Sequence, residues 1–492
     1  MVNLMKSLII VGGGSSAWLT AAYISNNSPG IKITVIDKEI GSPVGVGEGT
    51  TLAFPKLMQD SGFDQAEWMM AVDATYKSAI VFPGWGEKDK EIWHPFFLNH
   101  VLEEGKTSLL EVWSKNQHYD YKQYGSMLYD TSINHNKVDL YDAGAYAFHV
   151  DCGKLVQYIQ QKLTNKITFI KSEVVDIQRN GDLITGLTLK DGQQITGDLY
   201  VDCTGFKGML KENPKRVDLK GRLFCDTAVA GHIPYINKDE EMRPYVVSEA
   251  VECGWIWDIP VQTRIGSGLV FNRSITDVEE AKEYFCNYWN NRITKDKVKV
   301  LMWDPYYNED FWQGNIVSIG LSAGFIEPLE STGLALIAAG IVKLEAKIRD
   351  NTWSKNDADY YSLDMKLLFE DCVDFISMHY SRNTRPEKFW KFVQETYKPS
   401  DKILAYAELM KDSVRLHRNA KDFNIFSGAN WTCWMAQLGY PVGPANDGYS
   451  QQEAEKIMLK YYNSVEKFRH NHSRHHATEI ERLKTYYNIN QD

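Results

Sequence analysis

The stretch "SLIIVGGGSSAWLTAAYISNNSPGIKITVID", residues 7–37, decides the fold of this chain. An apolar run enters a glycine turn, a helical segment follows, and a second apolar run ends on Asp37. Strand, turn, helix and strand in this order predict a βαβ unit with two parallel strands. The chain therefore begins with the first unit of an α/β sheet.

The glycine turn has the spacing of a dinucleotide-binding loop. Gly12 and Gly14 stand in a G-x-G-x-x-A pattern that Ala17 completes. The first glycine permits the tight turn, the second lets a pyrophosphate approach the backbone, and the small third residue lets helix and strand pack. The helix that starts near Ser15 then presents its N–H groups to the phosphates. Asp37 is placed to accept a hydrogen bond from a ribose hydroxyl.

Two later turns favour FAD over NAD. "VGVGEGTT", residues 44–51, follows the βαβ unit closely, and "LYVDCTGFKG", residues 199–208, is an apolar strand that ends in a polar turn. FAD enzymes of the aromatic-hydroxylase type use such a late strand beneath the cofactor, whereas a simple NAD dehydrogenase has no need of it. The residues of these two turns that we expect at the cofactor are Gly47, Glu48, Asp202 and Gly205.

Composition excludes several classes of protein. At 492 residues the chain is long enough for two or three lobes, and its net charge of −10 argues against a nucleic-acid binder. No apolar run approaches the roughly 20 residues that cross a bilayer. The seven cysteines are scattered and never spaced as CxxC, and the chain opens on a strand rather than a signal peptide. These features predict buried thiols in a reducing cytoplasm.

The rest of the chain is α/β at first and helical at the end. Residues 152–180 predict a helix and strands that lead into an "NGD" hairpin turn, and residues 215–272 are mostly β. Residues 277–295 read as a helix. From about residue 333 onward the long segments have helical periodicity. We therefore expect an α/β (α+β) fold with a helical C-terminal region packed on the sheet.

The segment "GWIWDIP", residues 254–260, places two tryptophans one residue apart. In a strand, Trp255 and Trp257 point to the same face. From these seven residues alone, an aromatic ladder in a core strand is the simpler interpretation.

Together with "GGGSSAW", "GVGEGT", "YKSAIVF" and "GLSAGFIEPLESTG", this segment resembles the flavin-dependent halogenases, the group typified by tryptophan halogenases. The W-x-W-x-I-P motif that ends on Pro260 is the signature of that family, and flavin hydroxylases of similar fold lack it. The resemblance runs from residue 8 to about residue 390, and some features favour the divergent branch from marine bacteria and their viruses. It implies the FAD-binding, Rossmann-like fold of flavin monooxygenases, with Gly320 at the cofactor.

The resemblance also implies a reaction. Reduced FAD from a separate flavin reductase, with oxygen and a halide ion, would yield hypohalous acid, which travels through an internal tunnel to a lysine beside an aromatic substrate. Trp255 and Trp257 would then be a wall that keeps the substrate from the flavin. The alternative is that the two tryptophans serve packing alone, so that their loss would cost only stability.

The catalytic lysine of the family maps onto Lys77, in "DATYKSAIVFPGW". In isolation, a lysine in an apolar strand is more often a solvated one. As a catalytic group, Lys77 either donates a hydrogen bond to hypohalous acid or becomes halogenated itself, and the sequence leaves both routes open.

The catalytic glutamate of the family maps onto Glu330, in "EPLESTG". It could orient hypohalous acid and accept the proton that the ring loses, and it also suits the start of a helix. The backbone of Thr332 and Gly333, at that helix start, would hold the halide. On this interpretation residues 1–335 form the FAD, halide and catalytic domain, with a β-rich insert on the substrate side around 215–275. Residues 336–492 form a helical substrate-binding region.

The sequence indicates the identity of the substrate less directly than it indicates the reaction. Phe423, Trp431 and Trp434 either shape an aromatic pocket or pack the core, and the clamp that holds free tryptophan in tryptophan halogenases has no residue-by-residue match. We therefore expect an electron-rich ring of the indole or phenol type. Because larger halides are easier to oxidise, we expect bromide or iodide to react better than chloride.

Three alternatives stay open beside this interpretation. The same fold serves flavin-dependent aromatic hydroxylases, which use NAD(P)H directly and need no halide, and a non-catalytic FAD-binding protein would have no use for the lysine and the glutamate. The histidine-rich run at 469–476 reads as a solvated helix face rather than a metal site. We expect no nucleic-acid, membrane or metal partner, and a homo-oligomer is compatible with the sequence.

Overall fold

The computed structural model describes residues 5–38, 48–96, 101–102, 107–118, 146–414 and 425–472. The chain divides into two compact units, each assembled from three stretches of sequence. Unit 1 comprises Met1–Ala74, Val150–Lys220 and Trp303–Glu370, and unit 2 comprises Thr75–His149, Gly221–Met302 and Asp371–Asp492.

Helices and strands alternate through the first two-thirds of the chain, and helices make up the last third. The strands of the described residues are β1 Ser7–Val11, β2 Lys32–Asp37, β3 Glu48–Gly49, β4 Thr75–Lys77, β5 Ala79–Pro83, β6 Glu91–Pro95, β7 Val101–Leu102, β8 Thr107–Ser108, β9 Ala147–Val150, β10 Thr168–Lys171, β11 Val174–Asn180, β12 Leu183–Leu189, β13 Gln194–Ile195, β14 Leu199–Asp202, β15 Arg216–Asp218, β16 Thr227–Ile233, β17 Tyr245–Val251, β18 Gly254–Val261, β19 Arg264–Phe271, β20 Lys299–Met302, β21 Tyr306–Asn308, β22 Trp312–Gln313, β23 Ile316–Ser318 and β24 Gly324–Phe325. The helices of the same residues are α1 Ser15–Asn27, α2 Ala53–Asp60, α3 Gln65–Ala71, α4 Leu109–Ser114, α5 Cys152–Leu163, α6 Lys238–Glu241, α7 Val278–Tyr288, α8 Thr332–Arg349, α9 Lys355–His379, α10 Lys388–Thr396, α11 Asp401–Asp412, α12 Gly428–Gln437 and α13 Gln451–His472.

Unit 1 is built on a six-stranded sheet in the order β10-β2-β1-β14-β23-β22. All neighbouring strands are parallel except β22 and β23, so the predicted βαβ unit is confirmed. Leu8 of β1 is fully buried and pairs with Ile33 on one side and Leu199 on the other. Helix α1 packs against α5 and α8. Because the strands are parallel, the turns after β1, β2, β14 and β23 meet at one edge of the sheet.

Unit 2 is built on a seven-stranded sheet in the order β20-β16-β19-β18-β17-β5-β6. Strand β18 carries the "GWIWDIP" segment at the centre of this sheet and is buried along its whole length. Its neighbours β17 and β19 are both antiparallel to it. The predicted strand is thus confirmed, and it lies between two others rather than at an edge.

Helices of the C-terminal third pack on this sheet within unit 2. The indole N–H of Trp390, in α10, donates to the carbonyl of Val251 at 2.7 Å. The rings of Trp434, in α12, and Phe82, in β5, have their centroids 4.6 Å apart. The expected packing of helices on the sheet is therefore confirmed. Residue 335 lies in the first turn of α8, and the role of 336–492 in substrate binding stays a prediction.

Most predicted elements are present, and one helix is shorter than expected. Helix α5 coincides with its predicted residues, and the "NGD" hairpin joins β11 to β12 through Gly181, whose φ is +58°. The helix expected over 277–295 ends at Tyr288, because Asn290 and Asn291 adopt φ values of 50° and 57°. Asparagine tolerates this left-handed conformation, which stops a right-handed helix. Among the helices of the described residues, none combines the length and apolar character that crossing a membrane requires.

Candidate active site

The turn after β1 shows why residue 12 must be glycine. Gly12 has φ +124°, and a Cβ at this position would lie 2.1 Å from the carbonyl oxygen of Cys203. Cys203 directly follows β14, the strand beside β1. The two turns therefore touch backbone to backbone, which a side chain at residue 12 would prevent.

Gly14, by contrast, faces open space. Among the described residues, no atom lies within 4 Å of the place that a Cβ would take at Gly14. It is the N-cap of α1 and offers no side-chain cap, so the first N–H groups of that helix are available to a ligand. Ala17 is fully buried against the sheet, as the spacing predicted. This arrangement fits a pyrophosphate at the helix N-terminus.

Ser15, at the start of α1, is engaged in a small polar cluster of unit 1. Its hydroxyl and the partly buried Glu48 both hydrogen-bond to the thiol of Cys152. Burial raises the pKa of Glu48, against the lowering effect of the hydrogen bond with Cys152. Sequence reasoning did not single out Cys152, which lies far along the chain at the start of α5.

Asp202 shapes the turn after β14. Its Oδ1 accepts from the backbone N–H of Thr204 at 3.0 Å and from the Thr204 hydroxyl at 2.6 Å, while Oδ2 accepts from the N–H of Leu210 at 2.8 Å. Burial raises the pKa of Asp202, and these hydrogen bonds oppose that rise. The turn brings Gly205 to φ +69°, and no described atom lies within 4 Å of the place of its missing Cβ.

The remaining predicted cofactor residues lie at the same edge, with one exception. Gly320 has φ +82°, and a Cβ there would lie 2.7 Å from the Cβ of Ser16 in α1. Asp37 ends β2 and is partly exposed, while Gly47 lies outside the described residues. The bare positions at Gly14 and Gly205, beside the start of α1, form a cradle that fits a dinucleotide such as FAD.

The start of α8 has the features of an anion site. Ser331, its N-cap, has φ +59° and ψ 32° and makes no side-chain capping hydrogen bond. Thr332 is fully buried, and its Oγ1 has no hydrogen-bond partner among the described residues. No described atom lies within 4 Å of the place that a Cβ would take at Gly333. Backbone N–H groups at a helix start, with the helix dipole, attract a negative ion.

Two acids precede this helix, and both are buried. Glu330 ends the short 3-10 helix Pro328–Glu330, and Glu327 lies just before it. Sequence reasoning named Glu330 alone, although both acids stand in the quoted stretch "GLSAGFIEPLESTG". Glu330 belongs to unit 1, together with Thr332 and Gly333.

Lys77 belongs to unit 2, where it ends β4. Its exposed fraction is 0%, which excludes a solvated surface lysine. The Lys77 Nζ lies 5.2 Å from the ring centroid of Phe96, within the range of a cation–π contact. Phe96 was not singled out from the sequence, although the aromatic run "WHPFF" at 93–97 was the available signal.

A buried hydrogen-bond network adjoins Lys77. The hydroxyl of Thr75, in β4, donates to the carbonyl of Pro260 at 2.6 Å and lies 2.8 Å from Nδ1 of His149, in β9. Burial first, and then the Lys77 ammonium, lower the pKa of His149 well below its ordinary 6.5. The network thus joins the end of the tryptophan motif to the strand that carries Lys77.

The tryptophan pair has the geometry expected of one strand face. The rings of Trp255 and Trp257 have their centroids 6.2 Å apart, and both indole N–H groups lack a partner among the described residues. Trp257 pairs across the sheet with Gly268, and a Cβ there would lie 2.2 Å from the Trp257 ring. Gly268 therefore leaves room for that ring to lie over β19.

The predicted aromatic pocket residues are buried rings. The rings of Trp431 and Tyr406 are stacked, with their centroids 4.7 Å apart. The ring centroids of Trp434 and His379 are 3.6 Å apart. Phe423 lies outside the described residues, and so do the side chains of the run at 469–476. Among the described residues, no group of three or more His, Cys, Asp or Glu side chains could hold a metal ion.

Comparison with known proteins gives a consistent result. A family model described as tryptophan halogenase matches residues 7–451. Tryptophan 6-halogenase ThaL of Streptomyces albogriseolus is 30% identical over 457 residues, which cover 86% of this chain and 84% of that protein.

Solved structures agree over almost the whole chain. The flavin-dependent halogenase Xcc4156 from Xanthomonas campestris superposes with a TM-score of 0.89 at 25% identity, covering 98% of this chain and 99% of that one. BrvH, a flavin-dependent halogenase from Brevundimonas sp. BAL3, gives a TM-score of 0.86 at 26% identity, again with 98% and 99% covered.

Proposed function

The chain belongs to the tryptophan halogenase family and is a flavin-dependent halogenase, an oxidoreductase, and we propose how its own residues carry the reaction. FAD and halide bind in unit 1, and hypohalous acid is passed to Lys77 for transfer to an aromatic ring. The observation that supports this proposal most strongly is the burial of Lys77, whose ammonium has no exposed surface. A buried ammonium is costly unless it serves a partner or a reaction.

The cofactor is held at the edge of the unit 1 sheet. Gly12 and Gly14 let the pyrophosphate approach the backbone, the N–H groups from Ser15 onward bind it, and Asp37 takes the ribose. The chemistry that reduced FAD supplies when bound is the two-electron oxidation of halide, with oxygen, to hypohalous acid. We propose that a separate flavin reductase provides the reduced cofactor.

The halide lies at the start of α8. The backbone N–H groups of Thr332 and Gly333 and the Thr332 hydroxyl, which has no partner among the described residues, would all point to it. A halide needs donors and a positive dipole, and this helix start offers both.

Lys77 and Glu330 divide the work of halogen transfer. As the carbon–halogen bond forms and the oxygen–halogen bond breaks, the Lys77 ammonium gives a proton to the departing oxygen, which leaves as water. Glu330 accepts the proton that the ring carbon releases. It then gives up that proton and Lys77 regains one, so that both side chains return to their starting protonation states. The net reaction converts the arene and hypohalous acid into haloarene and water.

For the substrate we propose an electron-rich ring of the indole or phenol type. The relative ThaL is named for tryptophan, but the clamp for a free amino acid has no residue-by-residue match in this chain. For the halide we propose bromide or iodide before chloride, because larger halides are oxidised more easily. The seven cysteines are scattered and never spaced as CxxC, which supports the reducing cytoplasm as the compartment of this protein.

A reconstituted reaction tests this function. The purified protein is supplied with FAD, a flavin reductase, NADH, oxygen, bromide and a panel of indoles and phenols, and products are read by mass spectrometry. We expect the isotope doublet of bromine in at least one product. A product heavier by one oxygen and formed without halide would instead identify an aromatic hydroxylase.

Halide preference is tested by competition. Equimolar chloride, bromide and iodide are offered together, with the best substrate of the panel. We expect brominated or iodinated product to exceed chlorinated product, and a majority of chlorinated product would refute the preference.

A further inference from the structure

His149 lies on the same face as Lys77 in the paired strands β4 and β9. Strands β4 and β9 are antiparallel, with Thr75 opposite His149 and Lys77 opposite Ala147. Residues two apart on a strand, and residues directly opposite across a pair, share a face. Thr75, Lys77 and His149 therefore project to one side, and all three are fully buried.

The hydrogen bonds of Thr75 fix which nitrogen of His149 carries a proton. The carbonyl of Pro260 can only accept, so the single hydroxyl proton of Thr75 goes to it, over 2.6 Å. The bond between Thr75 Oγ1 and His149 Nδ1, at 2.8 Å, must then use the proton of Nδ1. In the neutral ring, Nε2 consequently carries no proton and presents a lone pair.

No group among the described residues donates a hydrogen bond to this lone pair. Nε2 of His149 is buried and has no hydrogen-bond partner among the described residues. The charged groups that act on the ring are the Lys77 ammonium and the Arg243 guanidinium, and Arg243 is itself paired with Asp258. Burial first, and then these two cations, lower the pKa of His149 and keep the ring neutral, so the unused acceptor persists at ordinary pH. An unsatisfied buried acceptor beside a buried donor suits a small ligand that carries one proton and one acceptor oxygen.

We propose that Nε2 of His149 is the hydrogen-bond acceptor for hypohalous acid, with Lys77 donating to the oxygen of the same molecule. This inference rests on the proposed role of Lys77. The acid has one O–H donor and one oxygen acceptor, which match the bare nitrogen and the ammonium. Held from both ends, the molecule presents its halogen to the ring.

The transfer step balances with His149 neutral throughout. The ring carbon attacks the halogen, the oxygen–halogen bond breaks, and Lys77 protonates the departing oxygen to give water. The ring carbon then releases its proton to Glu330, as proposed above, and becomes aromatic again. That water then donates to Nε2 in place of the acid. No further oxidant enters, because the halogen is already in its oxidised form. With an ammonium donor and a neutral acceptor, Lys77 acts by hydrogen bonding rather than as a haloamine.

Two substitutions separate the acceptor from the shape of the side chain. His149→Asn keeps a donor near the place of Nδ1, for Thr75, but leaves no atom near Nε2. His149→Gln can place its amide oxygen near Nε2. Hypohalous acid that escapes is quantified with a soluble trap, and halogenated product is quantified in the same reaction with FAD, reductase and bromide. The readout is the ratio of product to total hypohalous acid.

We expect His149→Asn to lower this ratio about tenfold, while total hypohalous acid stays near the wild-type amount, and His149→Gln to stay within about threefold of wild type. An unchanged ratio in His149→Asn would overturn the inference. So would an equal loss in both variants, because shape rather than the acceptor would then matter. If His149→Asn does not fold, Thr75→Val, with Thr75→Ser as its control, is expected to show the same loss by freeing the Nδ1 proton.

Lys77→Met, measured alongside, distinguishes a failure of the proposed function from a failure of the role proposed for His149. If wild type yields no hypohalous acid, or if Lys77→Met keeps the wild-type ratio, the proposed function fails. If Lys77→Met lowers the ratio and His149→Asn does not, the inference about His149 alone fails.

Discussion

Thr332 is a buried hydroxyl whose oxygen has no partner among the described residues, at the start of an uncapped helix. An orphaned buried hydroxyl costs free energy unless a ligand uses it. We expect Thr332→Val to raise the KM for bromide about tenfold, since one donor to the halide is lost. Steady-state rates at varied bromide give this value, and the dissociation constant of FAD is measured in parallel. Thr332→Ser, which keeps the hydroxyl, is the matched control, and an equal KM in both variants would remove the hydroxyl from the halide site.

His149 should also leave a mark on stability. Because its folded-state pKa is lowered well below 6.5, the unfolded chain binds a proton more readily than the folded one as pH falls below 6.5. Its contribution is therefore fully present above pH 6.5 and is lost as pH falls below that value. We expect the free energy of unfolding to fall more steeply between pH 6.5 and 5.5 in wild type than in His149→Gln, by up to about 1.4 kcal/mol. Urea unfolding at several pH values measures this, and parallel pH curves would contradict it.

At the level of residues, the sequence identifies what a local motif carries and misses what two distant strands bring together. The family motifs are enough to propose roles for Lys77, Glu330, Thr332 and the glycines, and these roles stay predictions. His149 is different, because its partner Thr75 stands 74 residues earlier and only the pairing of β4 with β9 joins them. No local pattern around a lone histidine indicates such a contact.

Strand β18 holds the tryptophan pair, and experiment can separate its proposed role as a barrier from a role in packing alone. The Trp257 ring lies over β19 because Gly268, opposite it, has no side chain. The indole N–H of Trp257 has no partner among the described residues. If the tryptophan pair keeps the substrate from the flavin, Trp257→Leu should weaken that barrier. We then expect a product heavier by one oxygen in the absence of halide. Mass spectrometry of reactions without halide detects it.

The matched control for this strand is Trp289→Leu. Trp289 is a buried tryptophan of the same unit, and its indole N–H donates to the Ser267 hydroxyl at 3.0 Å. Both substitutions should lower stability by a few kcal/mol, roughly 3 to 5 at most. If Trp257→Leu loses stability and gives no oxygenated product, the tryptophan pair serves packing alone.

Elements with strong periodicity could be predicted, and their ends could not always be. The βαβ unit follows from two apolar runs around a glycine turn, and α5 from a regular apolar face. Helix α7 ends at Tyr288 because of the backbone of Asn290 and Asn291, and asparagine alone does not dictate that conformation. The order of the seven-stranded sheet could not be predicted either, since β5 and β17 pair across more than a hundred residues of chain.

At the scale of the molecule, each unit interleaves three stretches of the chain. Sequence composition changes near residue 333, but unit 1 continues to Glu370 and includes α8. Such interleaving depends on contacts between distant segments, which composition does not record. We expect a chain that ends at residue 335 to bind no FAD, because it lacks most of α8, which packs on α1. Flavin absorbance after gel filtration measures this, and stoichiometric FAD on the shortened chain would contradict it.

The role of Lys77 in halogen transfer is tested by following the oxidised halide when Lys77 is replaced. Lys77→Met is compared with Lys299→Met, which removes an exposed lysine from β20 of the same unit. With FAD, reductase, oxygen and bromide, we expect Lys77→Met to form hypobromous acid at the wild-type total rate, with nearly all of it recovered in the trap. Its brominated product should fall at least about a hundredfold, while Lys299→Met keeps both. Brominated product from Lys77→Met at the wild-type level would contradict the proposed role of Lys77.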